Sequence, residues 1–384
     1  MNIFYFSGAK LPSKDAHSVH IMKMAQAFAK AGNDVTLFTK GINNATTSDL
    51  FKIYDTQPIF NIAQSSYMGI PFIGNKMRLL TRTANDNKNA PDLIFGHDLS
   101  TLSLLRKRNI PIIFEAHQMP SGSAQHIAFL QLIRSPNLKA IVAVSDILKR
   151  EILAKYTALE PETIFVAPDG ADLIDHIAAN EHDADLLRGR KNAYNVGYAG
   201  SLHPGKGLAM ITRIAKLRPE YDFHILGGSQ KQVQRLETAN THKNIYFYGH
   251  RDHADVPKYL KAFDVAVAPY QHRALIKTGR NISRWISPMK VFEYMAAQKP
   301  VLCSDLPVLQ NILKHDHNAL LLPASNEEKW ASAIDMLKDN PDHAHRLAMN
   351  AHESLKNHYT WDKRAEAVLD VYRVGRLNLR ALSS

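Results

Sequence analysis

The amino-acid sequence predicts an α/β fold in which two domains each hold a parallel sheet. The chain has 384 residues, which is longer than the segment that a single hydrophobic core usually stabilises. Two domains are therefore expected. Short apolar runs rich in β-branched residues, such as Val265 to Pro269, alternate with stretches of helical periodicity. Hydrophobic residues make up 45% of the chain and charged residues 22%, which is ordinary for a soluble globular protein. We therefore expect two domains in which helices alternate with the strands of a parallel sheet.

The first forty residues predict a βαβ unit. A strand over Asn2 to Ser7 precedes a helix from about Val19 to Ala31, which Gly32 ends. The next strand, 34–38, follows directly. A strand, a helix and a strand within this length are typical of a doubly wound sheet. No Gly-x-Gly-x-x-Gly motif accompanies them, which argues against a dinucleotide dehydrogenase.

Polar residues follow two further apolar runs in the first half of the chain. The runs 92–95 and 111–114 are predicted strands, and ligands of open α/β sheets lie outside the carboxyl ends of the strands. Any one of these residues could instead be a structural residue with its own partner, the commoner fate of a single histidine. Two such groups at neighbouring strand ends favour a site. The residues are His97, Asp98, Glu115 and His117.

Three other features favour a structural interpretation. His20 stands at the predicted helix start, where a solvated cap residue is expected and a place in the interdomain cleft is the alternative. Residues 71–82 have the pattern of a basic amphipathic helix, which we expect to be solvated, with a lipid surface as the alternative. Asp183 and Asp185 match a metal-binding Asp-x-Asp motif by letters. They lie in the polar linker predicted over 176–192, so we take the match as accidental.

The second half opens with a predicted strand that runs into a glycine-rich loop, 200–207, and then into a helix. Glycines allow the backbone to approach a phosphate closely, and Lys206 supplies positive charge. Loops of this composition are common, so an ordinary turn is the alternative.

A longer stretch, 281–301, predicts a loop, a helix and a buried strand. Pro288 suits the first helical position, and the amides of Met289 and Lys290 would then point out of the helix N-terminus as an anion site. Lys290 and Glu293 lie three residues apart, on one side of the helix, where an exposed ion pair is the alternative. Five cations and no acidic residue separate Asp264 from Glu293, which favours the anion site. They are Arg273, Lys277, Arg280, Arg284 and Lys290.

Residues 287–296, Ser-Pro-Met-Lys-Val-Phe-Glu-Tyr-Met-Ala, resemble the donor-binding signature of family 4 glycosyltransferases. The resemblance implies the GT-B fold, in which two Rossmann-like domains face each other across a cleft and the second holds a nucleotide-sugar. Glu293 would bind the ribose hydroxyls, and the amides near Met289 and Lys290 would contact the pyrophosphate. The common signature has another glutamate eight residues before Glu293, where this chain has Trp285. A subgroup of the family also lacks it, so activity is still expected.

Further stretches resemble the same family, and the resemblance covers nearly the whole chain. The loop 200–207 is similar to its diphosphate loop, in which many members have arginine where this chain has Ser201. The turn Gly249 to Arg251 is similar to the place where the base lies. His117 matches the histidine that contacts the donor sugar near the reacting carbon. The implied domains are 1–180 for the acceptor, 190–360 for the donor, and 361–384 for a helix that crosses back to the first domain.

The residue chemistry and the resemblance together imply three groups of site residues, and no metal or cofactor besides the nucleotide-sugar substrate. The expected catalytic residues are His117, Lys206 and Glu293. The expected donor-binding residues are Gly200, Ser201, Gly205, Lys206, His250, Arg251, Ser287, Pro288, Met289, Lys290, Val291 and Glu293. The expected acceptor-side residues are His20, His97 and Asp98.

The charge distribution bounds the partners. The net charge is +11, with 20 basic against 18 acidic residues in 1–190 and 27 against 18 in 191–384. Nucleic acid is one partner for such a surface, but no zinc-finger or RNA-binding signature is present, so none is expected. Binding of a diphosphate or of an anionic membrane surface explains the excess of basic residues equally well. The single cysteine, the absence of an apolar span and a start without a secretory pattern predict a cytoplasmic protein, with peripheral contact at the inner membrane face as an extension.

These observations and the resemblance predict a hexosyltransferase that moves a sugar from a UDP- or GDP-sugar to the hydroxyl of a carbohydrate or lipid-linked saccharide acceptor. The resemblance implies that the anomeric configuration is retained. Cell-envelope polysaccharide or glycolipid synthesis is the expected setting. Three alternatives stay open on the sequence: a GT-B sugar epimerase, a nucleotide-binding regulatory or scaffolding protein without transferase activity, and a nucleic-acid binder.

Overall fold

The computed structural model describes residues 1–41, 45–65, 90–174, 186–275 and 281–381. The chain divides into two compact units, of which the first contains residues 1–168 with the C-terminal helix and the second contains residues 169–360. Each unit has its own parallel sheet, so the predicted α/β fold with two parallel sheets is confirmed. Within the ranges above, no helix combines the length and the apolar character that crossing a membrane requires.

The first unit has seven strands. They are β1 (Asn2–Leu11), β2 (Asp34–Gly41), β3 (Asn61–Ser65), β4 (Leu93–Gly96), β5 (Ile112–Ala116), β6 (Leu138–Ala143) and β7 (Ile164–Val166). All pair in parallel in the order β3-β2-β1-β4-β5-β6-β7. The order reverses between β1 and β4, and the carboxyl ends of β1, β4 and β5 therefore lie side by side at the switch point where such sheets bind ligands.

The helices of the first unit connect these strands. They are α1 (Ala16–Lys30), α2 (Thr47–Ile53), α3 (Leu99–Leu105), α4 (Gly122–Ile133), α5 (Asp146–Lys155) and, at the C-terminus, the helix from Trp361 to Ala381 described below. Strands β4 and β5 are buried along their whole length, because helices cover both faces of a parallel sheet. The helix α1 begins about one turn before the predicted start, after Asp15 in an extended conformation, and Gly32 follows its end at φ +80°.

The second unit has six strands. They are β8 (Asn195–Ala199), β9 (Asp222–Leu226), β10 (Ile245–Gly249), β11 (Val265–Ala268), β12 (Val301–Ser304) and β13 (Leu320–Leu322). They pair in parallel in the order β10-β9-β8-β11-β12-β13. The helices are α6 (Leu208–Leu217), α7 (Gln230–Ala239), α8 (Val256–Ala262), α9 (Met289–Ala296), α10 (Glu327–Asp339) and α11 (Pro341–Ser354). Between β8 and β11 the order again reverses, which places the loops after these two strands together.

The core of the second unit explains why its strand ends are held in place. Trp330 is completely buried, and its indole donates to the Pro323 carbonyl at 2.8 Å. The phenol of Tyr294, on α9, accepts from the Ala199 amide at 2.8 Å and approaches the Ala199 carbonyl at 3.2 Å. The end of β8 is therefore fixed to the helix that carries the predicted donor signature.

The C-terminal helix, α12 (Trp361–Ala381), belongs to the first unit, where it packs on α1 and β6. Tyr372 donates to the Asp92 carbonyl at 3.0 Å, and the guanidinium of Arg364 donates to the Pro168 carbonyl at 2.9 Å. Arg364 is only 3% exposed, so this helix delivers a buried cation to the first unit.

Some features predicted from the sequence lie outside the described residues. They are the basic stretch 71–82, the aspartates at 183 and 185 with most of the predicted linker, and the cations Lys277 and Arg280.

Candidate active site

The glycine-rich loop after β8 is held tightly against a neighbouring segment of backbone. Gly205 and Gly207 have φ values of +81° and +113°. A Cβ atom on Gly205 would collide with the Arg273 carbonyl, and one on Gly207 would collide with Pro269. The Gln271 amide also donates to the Gly205 carbonyl at 2.9 Å. The glycines thus seat the loop on residues 269–274, a packing requirement that adds to the close approach to phosphate expected from the sequence.

The amine of Lys290 lies buried beside this loop. The residue is 9% exposed, and its Nζ is 3.8 Å from the centroid of the Tyr198 ring and 5.1 Å from that of Tyr270. A Cβ atom on Gly200 would lie 2.8 Å from that Nζ, so a side chain at this position would displace the Lys290 amine. Within the part of the chain that the structure describes, this nitrogen has no hydrogen-bond partner. Burial lowers the pKa of the Lys290 amine well below its ordinary range, and the charge of Lys206 lowers it further.

Lys206 approaches the same aromatic ring. Its Nζ lies 5.4 Å from the centroid of Tyr270, and burial lowers the pKa of this amine to about 8. Aromatic faces attract a cation but do not replace a carboxylate or water as hydrogen-bond acceptors. Two amines that share one ring, both with depressed pKa values, form a site that an anion would complete.

The start of α9 differs in one respect from the expectation. The helix begins at Met289 with Pro288 at the cap, one residue later than predicted. The Met289 amide donates to the Ser287 carbonyl at 3.1 Å, and the Val291 amide donates to Pro288 at 2.7 Å. The Met289 amide is therefore already paired, because the chain turns tightly before the helix. Ser287 is also engaged, since its hydroxyl accepts from the Asp169 amide at 2.7 Å.

One turn along α9, Glu293 is partly exposed and faces the turn after β10. Its Oε1 lies 3.9 Å from Nδ1 of His253, three residues beyond His250. Arg251, the third predicted residue of this turn, donates from Nε to the hydroxyl of Tyr259 at 3.1 Å. The structure thus brings the predicted ribose ligand and the predicted base turn together through His253, while the Arg251 side chain packs on a structural partner.

In the first unit, four cationic or hydrogen-bonding groups surround one carboxylate at the switch point. Glu115, at the end of β5, has a fully buried side chain. Nη2 of Arg364 lies 2.6 Å from its Oε1, and Nε2 of His20 lies 3.1 Å from both oxygens. The Tyr5 hydroxyl and Nε2 of His117 each lie 3.3 Å from Oε2. This group is called the Glu115 cluster below.

The structure corrects the interpretation of His20 as a solvated cap residue. His20 is 1% exposed and lies in the second turn of α1, facing Glu115. The reason is the early start of α1 at Ala16, which leaves Asp15 at the cap and turns His20 toward the sheet. The spacing of His20 and the buried Met24, four residues apart, is the sequence signal for this inner face.

The remaining acceptor-side residues have distinct surroundings. His97 lies 2.6 Å from His17, measured between their Nε2 atoms, and its Nε2 is 3.1 Å from the Ser7 hydroxyl. Asp98 is the N-cap of α3, where it accepts from the Thr101 hydroxyl at 2.8 Å. Asp98 thus has a helix-capping role in this structure, and the histidines form the exposed edge of the cluster.

Electrostatics fix the charge state of this cluster. Burial by itself raises the pKa of the Glu115 carboxyl, but the positive charge of its partners outweighs burial and holds that pKa well below its usual range. Burial lowers the pKa of the His97 imidazole well below its usual range, and the neighbouring His17 and His117 lower it further. Glu115 is therefore ionised and His97 neutral at physiological pH.

Sequence reasoning missed several residues that the structure places in these sites: His17, Arg364, Tyr198, Tyr270 and His253. Tyr198 lies in the predicted strand before the glycine-rich loop, and Tyr270 and His253 follow a predicted strand and a predicted turn by one and two residues, so their proximity to predicted ligands was a usable signal. Arg364 carries no such local signal, because its partner Glu115 is distant in the sequence.

Models of two protein families match the chain. The family described as Glycosyltransferase Family 4 matches residues 17–174, and the family described as Glycosyl transferases group 1 matches residues 193–340. The first match covers the Glu115 cluster apart from Arg364 and Tyr5, and the second covers the loop after β8 and all of α9.

Two relatives illustrate the similarity at the level of sequence. A Bacillus subtilis protein assigned by its name to teichuronic acid biosynthesis, TuaH, is 27% identical over 179 residues, which are 46% of this chain and 42% of that protein. The phosphatidyl-myo-inositol mannosyltransferase of Mycobacterium leprae is 22% identical over 370 residues, which are 92% of this chain and 91% of the mannosyltransferase. The chain thus spans less than half of the first relative and most of the second.

Solved structures show the same fold. The structure of the Anabaena protein HepE in complex with UDP-glucose has a TM-score of 0.74 and 15% identity, over 97% of this chain and 100% of that one. Sucrose-phosphate synthase from Thermosynechococcus elongatus has a TM-score of 0.72 and 17% identity, over 97% and 98% of the two chains. At such identities the likeness concerns the fold.

Proposed function

The chain is a glycosyltransferase of the GT-B fold, and from that premise we propose that it transfers a hexose from a UDP- or GDP-sugar to an acceptor hydroxyl with retention of the anomeric configuration. The observation that carries the proposal is the Lys290 amine, which is buried against two tyrosine rings with no hydrogen-bond partner in the described chain. A diphosphate supplies the negative charge and the acceptor oxygens that this amine lacks.

The two lysines are suited to stabilise the leaving diphosphate. Charge builds on the diphosphate as the bond to the sugar breaks, and preorganised cations stabilise that charge without reorganisation. Lys206 and Lys290 lie within reach of one ring, that of Tyr270, so they can hold the same diphosphate. With this charge supplied by the chain, transfer requires no metal. The leaving diphosphate then accepts the proton of the acceptor hydroxyl on the same face of the sugar, which retains the configuration.

Glu293 supports recognition of the nucleoside. A carboxylate accepts two hydrogen bonds and therefore suits a ribose diol. Its neighbour His253 lies 3.9 Å away and follows the turn with His250, which suits a place beside the base. We assign the ribose to Glu293, the diphosphate to the loop 200–207 and to Lys290 at the start of α9, and the reacting sugar to His117.

The relatives support the choice of setting. One is named for teichuronic acid biosynthesis, one is a phosphatidyl-myo-inositol mannosyltransferase, and one solved neighbour contains UDP-glucose. Polysaccharide and lipid-linked acceptors are therefore our first candidates. Peripheral contact with an anionic membrane during synthesis stays a prediction from the basic charge of the chain.

A thermal-shift panel with UDP, GDP, ADP, dTDP and NAD tests the donor site first. Stabilisation by UDP or GDP and none by NAD is the expected result, since a ligand that binds only the folded state raises Tm. The matching nucleotide-sugars are then assayed for transfer with Lys206→Ala, Glu293→Ala and the exposed control Lys216→Ala. We expect the first two variants to lose transfer while folding normally. Folded protein that responds to no diphosphate would contradict the proposal, as would full turnover by Lys206→Ala or Glu293→Ala.

A further inference from the structure

Three imidazoles converge at the exposed edge of the Glu115 cluster. One ring nitrogen from each of His17, His97 and His117 lies within 4.8 Å of the others, and all three residues are partly exposed. They come from the first turn of α1, from the residue after β4 and from the residue after β5. We propose that these three histidines bind a transition-metal dication of the Zn²⁺ type, separately from the diphosphate site.

The ligand chemistry defines the class of ion. Three imidazole nitrogens suit Zn²⁺, Co²⁺, Ni²⁺ or Cu²⁺, whereas Mg²⁺ and Ca²⁺ prefer carboxylate and carbonyl oxygens. The second triad within reach, of His20, Glu115 and His117, is less suitable. Its carboxylate already accepts from the guanidinium of Arg364 at 2.6 Å, and that cation would repel a metal ion. The ion is therefore assigned to the all-histidine triad.

The separation of His17 and His97 requires only a small adjustment. Zinc–nitrogen bonds of about 2.0–2.1 Å in a tetrahedral site hold two ligand nitrogens about 3.3 Å apart. The Nε2 atoms of His17 and His97 are 2.6 Å apart, a separation at which one ring donates its proton to the other. Metal binding replaces that shared proton and separates the rings by less than about 1 Å. Both residues are partly exposed.

Glu115 is placed to orient two of the histidine ligands, His97 and His117. Its Oε2 lies 3.3 Å from Nε2 of His117 and 3.9 Å from Nδ1 of His97, so those nitrogens face the carboxylate. The opposite nitrogen of His97, Nε2, lies 2.6 Å from Nε2 of His17 and is left for the ion. Nδ1 of His97 is buried and makes no hydrogen bond to the described residues. A small rotation of that ring on metal binding would bring it to Glu115, the arrangement in which a carboxylate fixes a metal-bound histidine.

The site has a consequence for transfer that rests on the proposed function. An ion held by His117 would occupy the imidazole that we place beside the reacting sugar. The metal would then inhibit transfer, and a chelator would restore it. The binding of the metal does not depend on that assignment.

Cobalt provides a readout that is independent of activity. Chelator-treated protein without a histidine tag is titrated with Co²⁺, and a four- or five-coordinate site gives intense visible d–d absorption. We expect one equivalent to bind, Zn²⁺ to displace it, and excess Mg²⁺ to have no effect. His97→Ala and His17→Ala should each weaken Zn²⁺ affinity at least about 100-fold, since each loses one of three ligands. The exposed His272→Ala, in the second unit, is the control and should bind as the unmodified chain does.

The proposal would be overturned if the visible bands were absent. It would also be overturned if the bands of His17→Ala and His97→Ala were as intense as those of the unmodified chain. Circular dichroism and the milder variants His17→Gln and His97→Gln show whether a lost signal reflects misfolding, because a glutamine keeps the size of the side chain without the imidazole. If no transfer is found with any donor, the Co²⁺ titration still decides the metal site. If transfer is found and Zn²⁺ does not inhibit it although Co²⁺ binds, the assignment of His117 to the sugar is wrong and the metal site stands.

Discussion

Two buried charged side chains, Glu115 in the first unit and Lys290 in the second, have opposite surroundings. The carboxylate of Glu115 has the Arg364 guanidinium at 2.6 Å, with imidazoles and a phenol around it. The amine of Lys290 has two tyrosine faces and, in the described ranges, no hydrogen-bond acceptor. Removing a charge from water costs several kcal/mol unless partners compensate for it. The first charge is compensated within the chain, whereas the second is not.

This difference separates two kinds of site. The Glu115 cluster is complete before any ligand binds, so its groups are held rigidly. Removing one of its residues should therefore lower the free energy of unfolding. The lysine site is incomplete until an anion binds. Removing one of its lysines should therefore weaken the binding of the anion. Mutations can test each half of this contrast, because the two kinds of site predict opposite signs for the change in the free energy of unfolding.

The largest expected effect follows from removing the compensating cation. Arg364→Met leaves Glu115 ionised and buried without its closest partner, and breaking a buried pair in this way costs about 3–5 kcal/mol. We expect urea unfolding to show a loss of that size. The guanidinium also donates to the carbonyls of Pro168 and Ala167, at 2.9 and 3.3 Å, which adds to the loss.

The matched control is Arg373→Met, on the same helix. Arg373 pairs with Asp370 at the surface, with both side chains more than half exposed, so its removal should cost little. The double variant Arg364→Met with Glu115→Gln should recover part of the stability, since the unpaired charge is gone. If Arg364→Met were as stable as Arg373→Met, Glu115 would not depend on this partner and the contrast would fail.

The second effect has the opposite character. Lys290→Met removes an uncompensated buried amine and keeps the length of the side chain, so the ligand-free protein should be as stable as before or more so. A charge-assisted hydrogen bond to the diphosphate would be lost, about 2–3 kcal/mol or roughly 30–150-fold in Kd. Calorimetric titration with UDP and GDP measures the affinity, and Lys216→Met is the exposed control. Reduced stability with unchanged affinity would make Lys290 a structural residue.

The third effect is a pH dependence of diphosphate binding. In the free protein burial holds the pKa of Lys206 at about 8 and that of Lys290 well below the ordinary range. A bound diphosphate raises both pKa values, since an opposite charge favours the protonated amine. Below the free pKa of Lys206 that amine is protonated in both states and contributes no linkage. Above about pH 8 binding takes up its proton, so affinity falls as pH rises, by at most about tenfold per pH unit for one proton.

Calorimetry in buffers with different ionisation enthalpies measures this proton uptake directly. Lys206→Met should remove the part of the uptake that appears above about pH 8 and leave the part due to Lys290. Binding that released protons, or an affinity that rose between pH 8 and 9, would contradict the proposed role of the lysines.

The sequence predicted the parts of the lysine site that depend on local order. The apolar run of β8 followed by glycines, and the helix that carries Lys290 and Glu293 three residues apart, are short-range patterns that place the side chains directly. The tyrosine rings were harder to predict, because Tyr198 and Tyr270 lie on different strand ends that only the sheet order brings together. The depressed pKa values of the two lysines follow from that burial, so the sequence could not predict them either.

The Glu115 cluster shows where sequence reasoning was limited. The residues after β4 and β5 were predicted to lie together because parallel strands end at one edge of a sheet. The cation that fixes the carboxylate comes from the C-terminal helix, a contact that no local pattern specifies. His20 was misjudged because the helix start was set about one turn late, and a shift of that kind changes which side chains face the sheet.

The smallest effect distinguishes the two kinds of site within the donor signature itself. The Ser287 hydroxyl accepts from the Asp169 amide at 2.7 Å, so it is already satisfied by the chain, like Glu115. Ser287→Ala should therefore cost about 1 kcal/mol in unfolding free energy and leave the Kd for UDP or GDP unchanged within about twofold. Ser201 is exposed on the loop after β8, and Ser201→Ala should show the reverse, with unchanged stability and weaker diphosphate binding. If Ser287→Ala weakened binding without loss of stability, the hydroxyl would belong to the ligand, and Asp169 would have to find another acceptor when the nucleotide binds.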